Sequence, residues 1–232
     1  MILNLPGLTD CRRCRRLAAF REELPPRRGW TRGDYWGRPV PGFGDPAARI
    51  FLLGLAPGAH GANRTGRPFT GDGAGEFMYP LLYRAGLSNQ PEAFYAADGL
   101  RLHDLFISNA VKCVPPGNKP APLEFANCRS YLAEELARLP QLRVVLALGR
   151  EAHVAYLKLC RERGEIGRLA DYPFAHGALC RPGKGLWLLT SYHTSRYNVH
   201  TGRLKAPMFL GLLEQAKCLA GDKTVENPPL IQ

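Results

Sequence analysis

Four short apolar runs constrain this chain most: I-F-L-L-G-L at 50–55, L-F-I-S-N-A-V at 105–111, R-V-V-L-A-L at 143–148 and L-W-L-L-T-S at 186–191. They are nearly continuous in hydrophobicity, so they read as strands buried on both faces, as in parallel sheets covered by helices. Helical segments separate them. The sequence predicts helices starting behind a Thr9 or Asp10 cap and running to residue 23, then at 76–85, 122–139, 149–163 and 206–219, with Gly86 ending the second. This alternation specifies an α/β fold: a three-layer α/β/α sandwich around a central four-stranded parallel sheet with right-handed crossovers. A length of 232 residues and 45% hydrophobic composition support one core. A single domain over residues 1–220 is expected, with 221–232, which include Pro228 and Pro229, as a frayed tail.

Parallel strands gather their following loops on one edge, where open α/β sheets place ligands. Those loops are 56–75, 112–122 and 192–202. The first contains six glycines, and a loop of that length inside a compact domain is functional or disordered. No G-x-x-x-x-G-K-[ST] phosphate loop follows the first strand, and no G-x-S-x-G elbow occurs. Gly71, Gly73 and Gly75 miss the dinucleotide fingerprint because position 76 is Glu and the strand lies far upstream. The loops retain His60, Asp72, Asn109, Asn118 and His193 beside Phe69 and Tyr79. That set suits a planar polar ligand held by amides and stacked on a ring. The bland reading of Asp72 is a cap for the next helix, and that of His60 a structural histidine.

The formal net charge is +11 and the pI near 9.6, so a polyanion is the first partner to consider. Nine arginines fall within residues 11–38 against Glu22, Glu23 and Asp34, interleaved with Trp30, Tyr35 and Trp36. They form a solvated face or a patch for a nucleic-acid backbone. Arginines interrupt the N-terminal segment before any long apolar stretch, so neither a signal peptide nor a membrane span is expected, and the location is cytoplasmic.

Seven cysteines, an odd number, argue against a disulfide framework in a reducing compartment. Cys11-x-x-Cys14 is a half-site, and Cys113 and Cys128 are its natural partners. Four thiolates from three segments suit a [4Fe-4S] cluster or zinc; the absence of a second C-x-x-C knuckle favours iron-sulfur. Cys160 and Cys218 read as small core residues of helices.

Taken together, C-R-R-C at 11–14, G-L-A-P-G-A-H-G at 54–61, G-R-P-F-T-G-D at 66–72, N-A-V-K-C at 109–113, P-G-N-K-P at 116–120, H-T-S-R at 193–196 and T-G-R at 201–203 resemble the family 5, or B-type, iron-sulfur uracil-DNA glycosylases. The resemblance spans nearly the whole chain. Family 4 relatives are similar in C-x-x-C and G-R-P-F but carry an acid where this chain has the neutral Leu55-Ala56.

The resemblance implies a monomer acting on double-stranded, uracil-containing DNA, with a [4Fe-4S] cluster on Cys11, Cys14, Cys113 and Cys128. The base would flip out of the duplex and stack on Phe69. Asn109, or alternatively Asn118, would pair with its polar edge, and backbone groups of Ala56, Pro57 and Gly58 would assist. His193 would donate to the base as charge develops, and Asp72 would act on the attacking water and the sugar cation. Arg196 and Tyr197 are implied as a wedge into the vacated stack. With no nucleophilic lysine required, the product is an abasic site. The competing reading is a non-catalytic nucleic-acid-binding module stabilised by an iron-sulfur or zinc site.

Overall fold

A computed structural model describes residues 1–3, 5–183 and 185–221; residues 222–232 of the expected tail lie outside the described residues. The chain builds one six-stranded sheet from β1 (Phe43–Gly44), β2 (Ile50–Gly54), β3 (Leu105–Asn109), β4 (Val144–Leu148), β5 (Leu179–Cys180) and β6 (Trp187–Ser191). Their order is β1-β3-β2-β4-β6-β5. The central four are parallel, as the apolar runs predict, and the two-residue strands β1 and β5 add antiparallel edges that the sequence reading lacks. Two residues carry no periodicity to read, so the four-stranded expectation becomes a mixed sheet of six.

Every residue of β2, β3 and β4 is buried, because helices cover both faces. The helices are α1 (Arg15–Glu23), α2 (Ala62–Thr65), α3 (Gly73–Arg84), α4 (Pro122–Ala137), α5 (Arg150–Glu162), α6 (Arg196–His200) and α7 (Ala206–Gly221). Ile50, Leu52, Ile107, Leu146 and Leu189 pack with Met78 and Leu82 of α3 and Phe209 and Leu213 of α7. The alternate residues Phe51, Leu53, Phe106, Val145 and Leu188 pack with Leu132 and Leu136 of α4 and Ala155 and Tyr156 of α5. Period-two alternation along buried strands therefore divides the core into two layers, one on each side of the sheet.

Several boundaries differ from the sequence expectation. The first helix starts at Arg15 rather than behind Thr9 or Asp10, because residues 5–11 form turns, with Leu8 N–H donating to Leu5 O and Cys11 N–H to Leu8 O. Helix α3 starts at Gly73 rather than Glu76 because Asp72 caps it. Gly221 closes α7 instead of opening a tail. Among the described residues no helix is long and apolar enough to cross a membrane.

One buried polar network fixes the chain as it leaves β3. The Lys112 Nζ donates to Glu135 Oε2 and to Ser108 Oγ, each at 2.6 Å, while Glu135 Oε1 accepts from Ser108 Oγ at 3.0 Å and from Gly42 N–H at 3.2 Å. Both charged side chains are essentially inaccessible. A buried pair of this kind is costly to break from one side, because the remaining charge has no partner. We expect Lys112→Met to destabilise the protein by about 3–5 kcal/mol in chemical denaturation, and replacing Glu135 with Leu in the same chain to restore part of that loss.

Candidate active site

The strand order creates a switch point. From β2 the chain moves to β3 on one side, and from β4 it moves to β6 on the other, so a crevice opens beyond the carboxyl ends of β2 and β4. A cavity of about 370 Å³ lies there, walled by residues that follow all four parallel strands: Ala56 and Gly58 after β2, Asn109 at the end of β3, Glu151 after β4 and His193 after β6. Phe69, Asp72, Asn118 and Arg196 complete it.

The floor depends on a missing side chain. In the β2–β3 ladder Gly54 is the partner of Asn109. A Cβ at Gly54 would collide with Asn109 Oδ1 and lie 2.5 Å from Phe69 Cζ. Glycine there lets an amide and an aromatic ring share the same small volume. Asn109 is buried, and its Oδ1 has no hydrogen-bond partner among the described residues. Leaving such an acceptor unpaired costs about 1–3 kcal/mol, which a ligand N–H at this position would recover.

Phe69 has φ 54°, the left-handed region that bulky residues avoid. That strain is of order 1–3 kcal/mol and persists only where the surroundings over-determine it. Here they do. Arg67 is fully buried and forked onto Asp98 at 2.6 and 2.7 Å, with its Nε donating to Thr70 Oγ1 at 2.9 Å. Tyr79 donates to Pro68 O at 2.9 Å. The G-R-P-F turn is thus anchored on both sides, and it holds the Phe69 ring 6.2 Å from that of His193, tilted by 33°.

Asp72 has two distinct oxygens. Oδ1 accepts the N–H groups of Ala74 at 3.1 Å and Gly75 at 3.0 Å, capping α3. Oδ2 makes no hydrogen bond among the described residues and faces Gly58 and Gly61; a Cβ at Gly61 would stand 2.7 Å from Asp72 Cβ. The cap reading and the pocket reading therefore describe two oxygens of one carboxylate.

His193 follows β6, and its carbonyl accepts from Asn198 Nδ2 at 2.8 Å. Burial lowers its pKa below the ordinary 6.5, against the opposing charges of Asp72 and Glu151. The imidazole is consequently neutral at pH 7, with one ring N–H able to donate. Glu151 is the residue that sequence reasoning missed. It stands two positions beyond Gly149 at the end of β4, so the strand-end rule that selected Asn109 and His193 would also have selected it.

Not every expected residue reaches the cavity. Pro57 is buried and absent from its walls, and a proline has no N–H to donate, so only Ala56 and Gly58 remain as backbone contacts in that turn. Asn118 lines the cavity from an exposed turn with φ 57°, a conformation asparagine tolerates. Arg196 lies over Gly73 and pairs with Glu76 at 3.1 Å, whereas Tyr197 is 72% exposed and outside the walls. His60 is taken up by Tyr35, whose hydroxyl lies 2.7 Å from its Nδ1.

The four expected ligand cysteines meet at a second locus. Cys11, Cys14, Cys113 and Cys128 line one small hollow between the N-terminal segment, the chain after β3, and α4. Arg21 Nη1 lies 3.1 Å from Cys113 Sγ, and Asn127 Nδ2 lies 3.4 Å from Cys14 Sγ. Burial pushes the Cys113 thiol up to about 11 and Cys128 to about 12, so a bound cation is what would draw them as thiolates. Among the described residues no three His, Cys, Asp or Glu side chains converge as a single metal ion would require. Cys160 is buried in α5 as expected, while Cys218 on α7 is exposed rather than in the core.

Several side chains of the arginine-rich segment have partners within the protein, and Arg13 and Arg21 line this hollow. Arg12 pairs with Glu22, Arg13 donates to Ser130 Oγ at 2.9 Å, and Arg16 forks onto Glu124 at 2.6 and 2.8 Å. Arg32 donates to Leu24 O at 2.7 Å, and Arg38 lies 3.5 Å from Asp10. A cavity of about 460 Å³ among Arg12, Arg32, Tyr35, Trp36 and Arg38 is larger than the crevice. It has neither the strand-end position nor the amide and imidazole groups of the crevice, so the chemistry is assigned to the latter.

Comparison with known proteins identifies the family. The model of the uracil DNA glycosylase superfamily matches residues 41–217. A protein of Thermus thermophilus named type-5 uracil-DNA glycosylase is 53% identical, with 92% of this chain and 95% of that protein aligned. A Mycobacterium bovis protein of the same name is 44% identical over 92% of this chain and 80% of its own length. A type-4 uracil-DNA glycosylase of Archaeoglobus fulgidus is 36% identical, over 49% of each chain.

Burial also depresses the pKa of His153 and His176 below 6.5. A histidine whose folded pKa is depressed stabilises the fold fully above its unfolded pKa, and that stability is lost as pH falls through the interval down to the folded value. The expected outcome is a lower denaturant midpoint at pH 5.5 than at pH 7.5, with His153→Phe reducing the difference.

Proposed function

The chain belongs to the type-5 branch of the uracil-DNA glycosylase superfamily, and on that premise we propose that the crevice excises uracil from DNA by hydrolysing the bond between base and sugar. The observation that carries this reading is the buried, unpartnered Oδ1 of Asn109 beside the Phe69 ring. Uracil offers an N–H between two carbonyls on a flat ring, so Asn109 would accept that N–H and donate its amide to the adjacent carbonyl. Asn118 reaches the crevice from the opposite loop as a second amide. Adenine and cytosine present a different order of donors and acceptors, and a site built for one order rejects the other by leaving buried groups unpaired.

Such a base is out of reach inside a duplex and has to be flipped, at a cost of a few kcal/mol that is least for a mispaired base. Stacking on Phe69 contributes about 1–3 kcal/mol toward that cost. Phe69 is already strained and anchored in the free protein, so little ordering remains to be done on binding. Arg196 and Tyr197, on the first turn of α6, would occupy the vacated stack.

Bond cleavage leaves negative charge on the base and positive charge on the sugar. His193 donates its ring N–H to the base carbonyl as that charge develops, with the Ala56 and Gly58 N–H groups assisting; one such donor is typically worth about 2.7–4 kcal/mol. The free Oδ2 of Asp72 orients or deprotonates water and faces the sugar cation, while Oδ1 keeps the carboxylate fixed to α3. Among the described residues no lysine lines the crevice, which supports release of an abasic site without strand cleavage. The convergence of a free carboxylate oxygen, an orphaned amide and a neutral imidazole gives a silent binding module no account of these groups.

For the second locus we propose a [4Fe-4S] cluster on Cys11, Cys14, Cys113 and Cys128. The four thiols line one hollow, and their dispersed spacing, with no second C-x-x-C knuckle, supports iron-sulfur over zinc. When bound, the cluster cross-links the N-terminal segment to α4. Ala56 of the crevice wall packs against the same apolar group as Cys113 and Cys128, which supports a structural role behind the catalytic floor. We further propose a cytoplasmic monomer acting on double-stranded DNA.

A duplex oligonucleotide carrying one uracil, incubated with the protein and then treated with alkali, is expected to break at that nucleotide; an intact strand contradicts the proposal. Asp72→Asn keeps a capping oxygen for α3, so it is expected to bind DNA normally and to lower single-turnover excision roughly 10²–10⁴-fold. Iron and sulfide analysis is expected to find about four of each per chain, and a colourless protein with one zinc would contradict the cluster.

A further inference from the structure

Arg21 is a buried cation whose guanidinium is hydrogen-bonded to no carboxylate. Its side chain is 4% exposed, and Glu22, the acid nearest to it, lies 3.8 Å away, is 42% exposed and is already forked by Arg12. Instead the guanidinium points at the cysteine hollow. Nη1 lies 3.1 Å from Cys113 Sγ, Nη2 donates to Cys11 O at 3.1 Å, and Nε has no partner among the described residues. Burying a guanidinium against neutral thiols leaves the charge uncompensated, which is costly. Arginine cannot escape by losing its proton. The sequence therefore commits a permanent positive charge to a buried place where its one carboxylate neighbour, Glu22, is long-range, half-exposed and shared with Arg12.

Resting on the [4Fe-4S] reading of the preceding subsection, we propose that Arg21 is the built-in counter-ion of the cluster and sets both its retention and its reduction potential. Four cysteine thiolates around a [4Fe-4S]²⁺ core carry a net charge of about −2, which becomes about −3 on one-electron reduction. The guanidinium neutralises part of that charge at the shortest distance available, through N–H···S contact with the Cys113 sulfur. Because it attracts the reduced form more than the oxidised one, it raises the potential. Its second arm holds the carbonyl of Cys11, so one side chain spans two ligands that are 102 residues apart in sequence, 113 minus 11. Arg12 and Arg16 pair with Glu22 and Glu124, and Arg13, which also lines the hollow, donates to Ser130 and makes no hydrogen bond to a cysteine sulfur among the described residues. Asn127 donates to Cys14 Sγ at 3.4 Å without bringing a charge.

The test uses the purified holoprotein, reduced in steps with dithionite and followed by electron paramagnetic resonance, alongside Arg21→Met and Arg21→Lys. Arg21→Met is expected to move the cluster's redox equilibrium about tenfold toward the oxidised form, which is about 59 mV for one electron. It is also expected to shorten iron retention under a chelator about tenfold. Arg21→Lys keeps a charge without the planar fork and is expected to fall between the two; it also serves if the methionine variant does not fold. A role in packing alone would lower the melting temperature and leave the potential unmoved, and that result in an iron-loaded variant overturns the proposal while leaving the cluster reading intact. Wild-type protein containing zinc and no iron overturns the cluster reading itself, and this proposal with it.

Discussion

The active-site reading depends on a contact that glycine alone permits. Pairing β2 with β3 in parallel register sets residue 54 beside residue 109, and only with no side chain at 54 can the Asn109 amide and the Phe69 ring occupy the crevice floor together. The rest of the local structure secures that arrangement. The Arg67–Asp98 fork and the Tyr79 hydroxyl hold the strained turn that presents Phe69, and the Asp72 cap joins that turn to α3. The Lys112–Glu135 network fixes the chain just beyond Asn109. Each of these is buried or partly buried, so the crevice is preformed, and little binding energy is spent on ordering it.

The proposed cluster and the crevice are two sides of one wall. Val111 N–H donates to Leu55 O at 2.9 Å, and Ala56 packs with Cys113, Cys128 and Leu17. The loops that shape the pocket therefore rest on the cysteine-lined hollow, and the arginine ties from the N-terminal segment close it from outside. A small apolar contact carries the mechanical connection. This explains how a metal site can support a hydrolytic reaction that needs no electron transfer.

The parts of the fold that were legible in sequence are those with strong, local physical signals. Apolar runs such as 50–55 and 143–148 leave no alternative to buried strands, and once they are parallel their loops must meet on one edge, which brought Asp72, Asn109 and His193 together. Phe69 was legible as a ring in the loop, but its left-handed backbone depends on Arg67 and Asp98, which lie 31 residues apart in sequence, and no local rule reports that. Strands β1 and β5 and helices α2 and α6 are two to five residues long, too short for periodicity to register. Composition alone did not settle what each arginine of residues 11–38 faces. A count of charge does not separate a guanidinium facing DNA from one facing Glu124 or Cys113.

The central claim is geometric: a flipped uracil lies on Phe69, with its N–H on Asn109, its carbonyl toward His193 and its sugar carbon toward Asp72. A crystal structure of the protein with a duplex that it has processed, retaining the released base, tests this most directly. The account predicts a ring stacked on Phe69 with its N–H within hydrogen-bond distance of Asn109 Oδ1. A base bound elsewhere, or turned so that Asn109 Oδ1 stays unpaired, would contradict it.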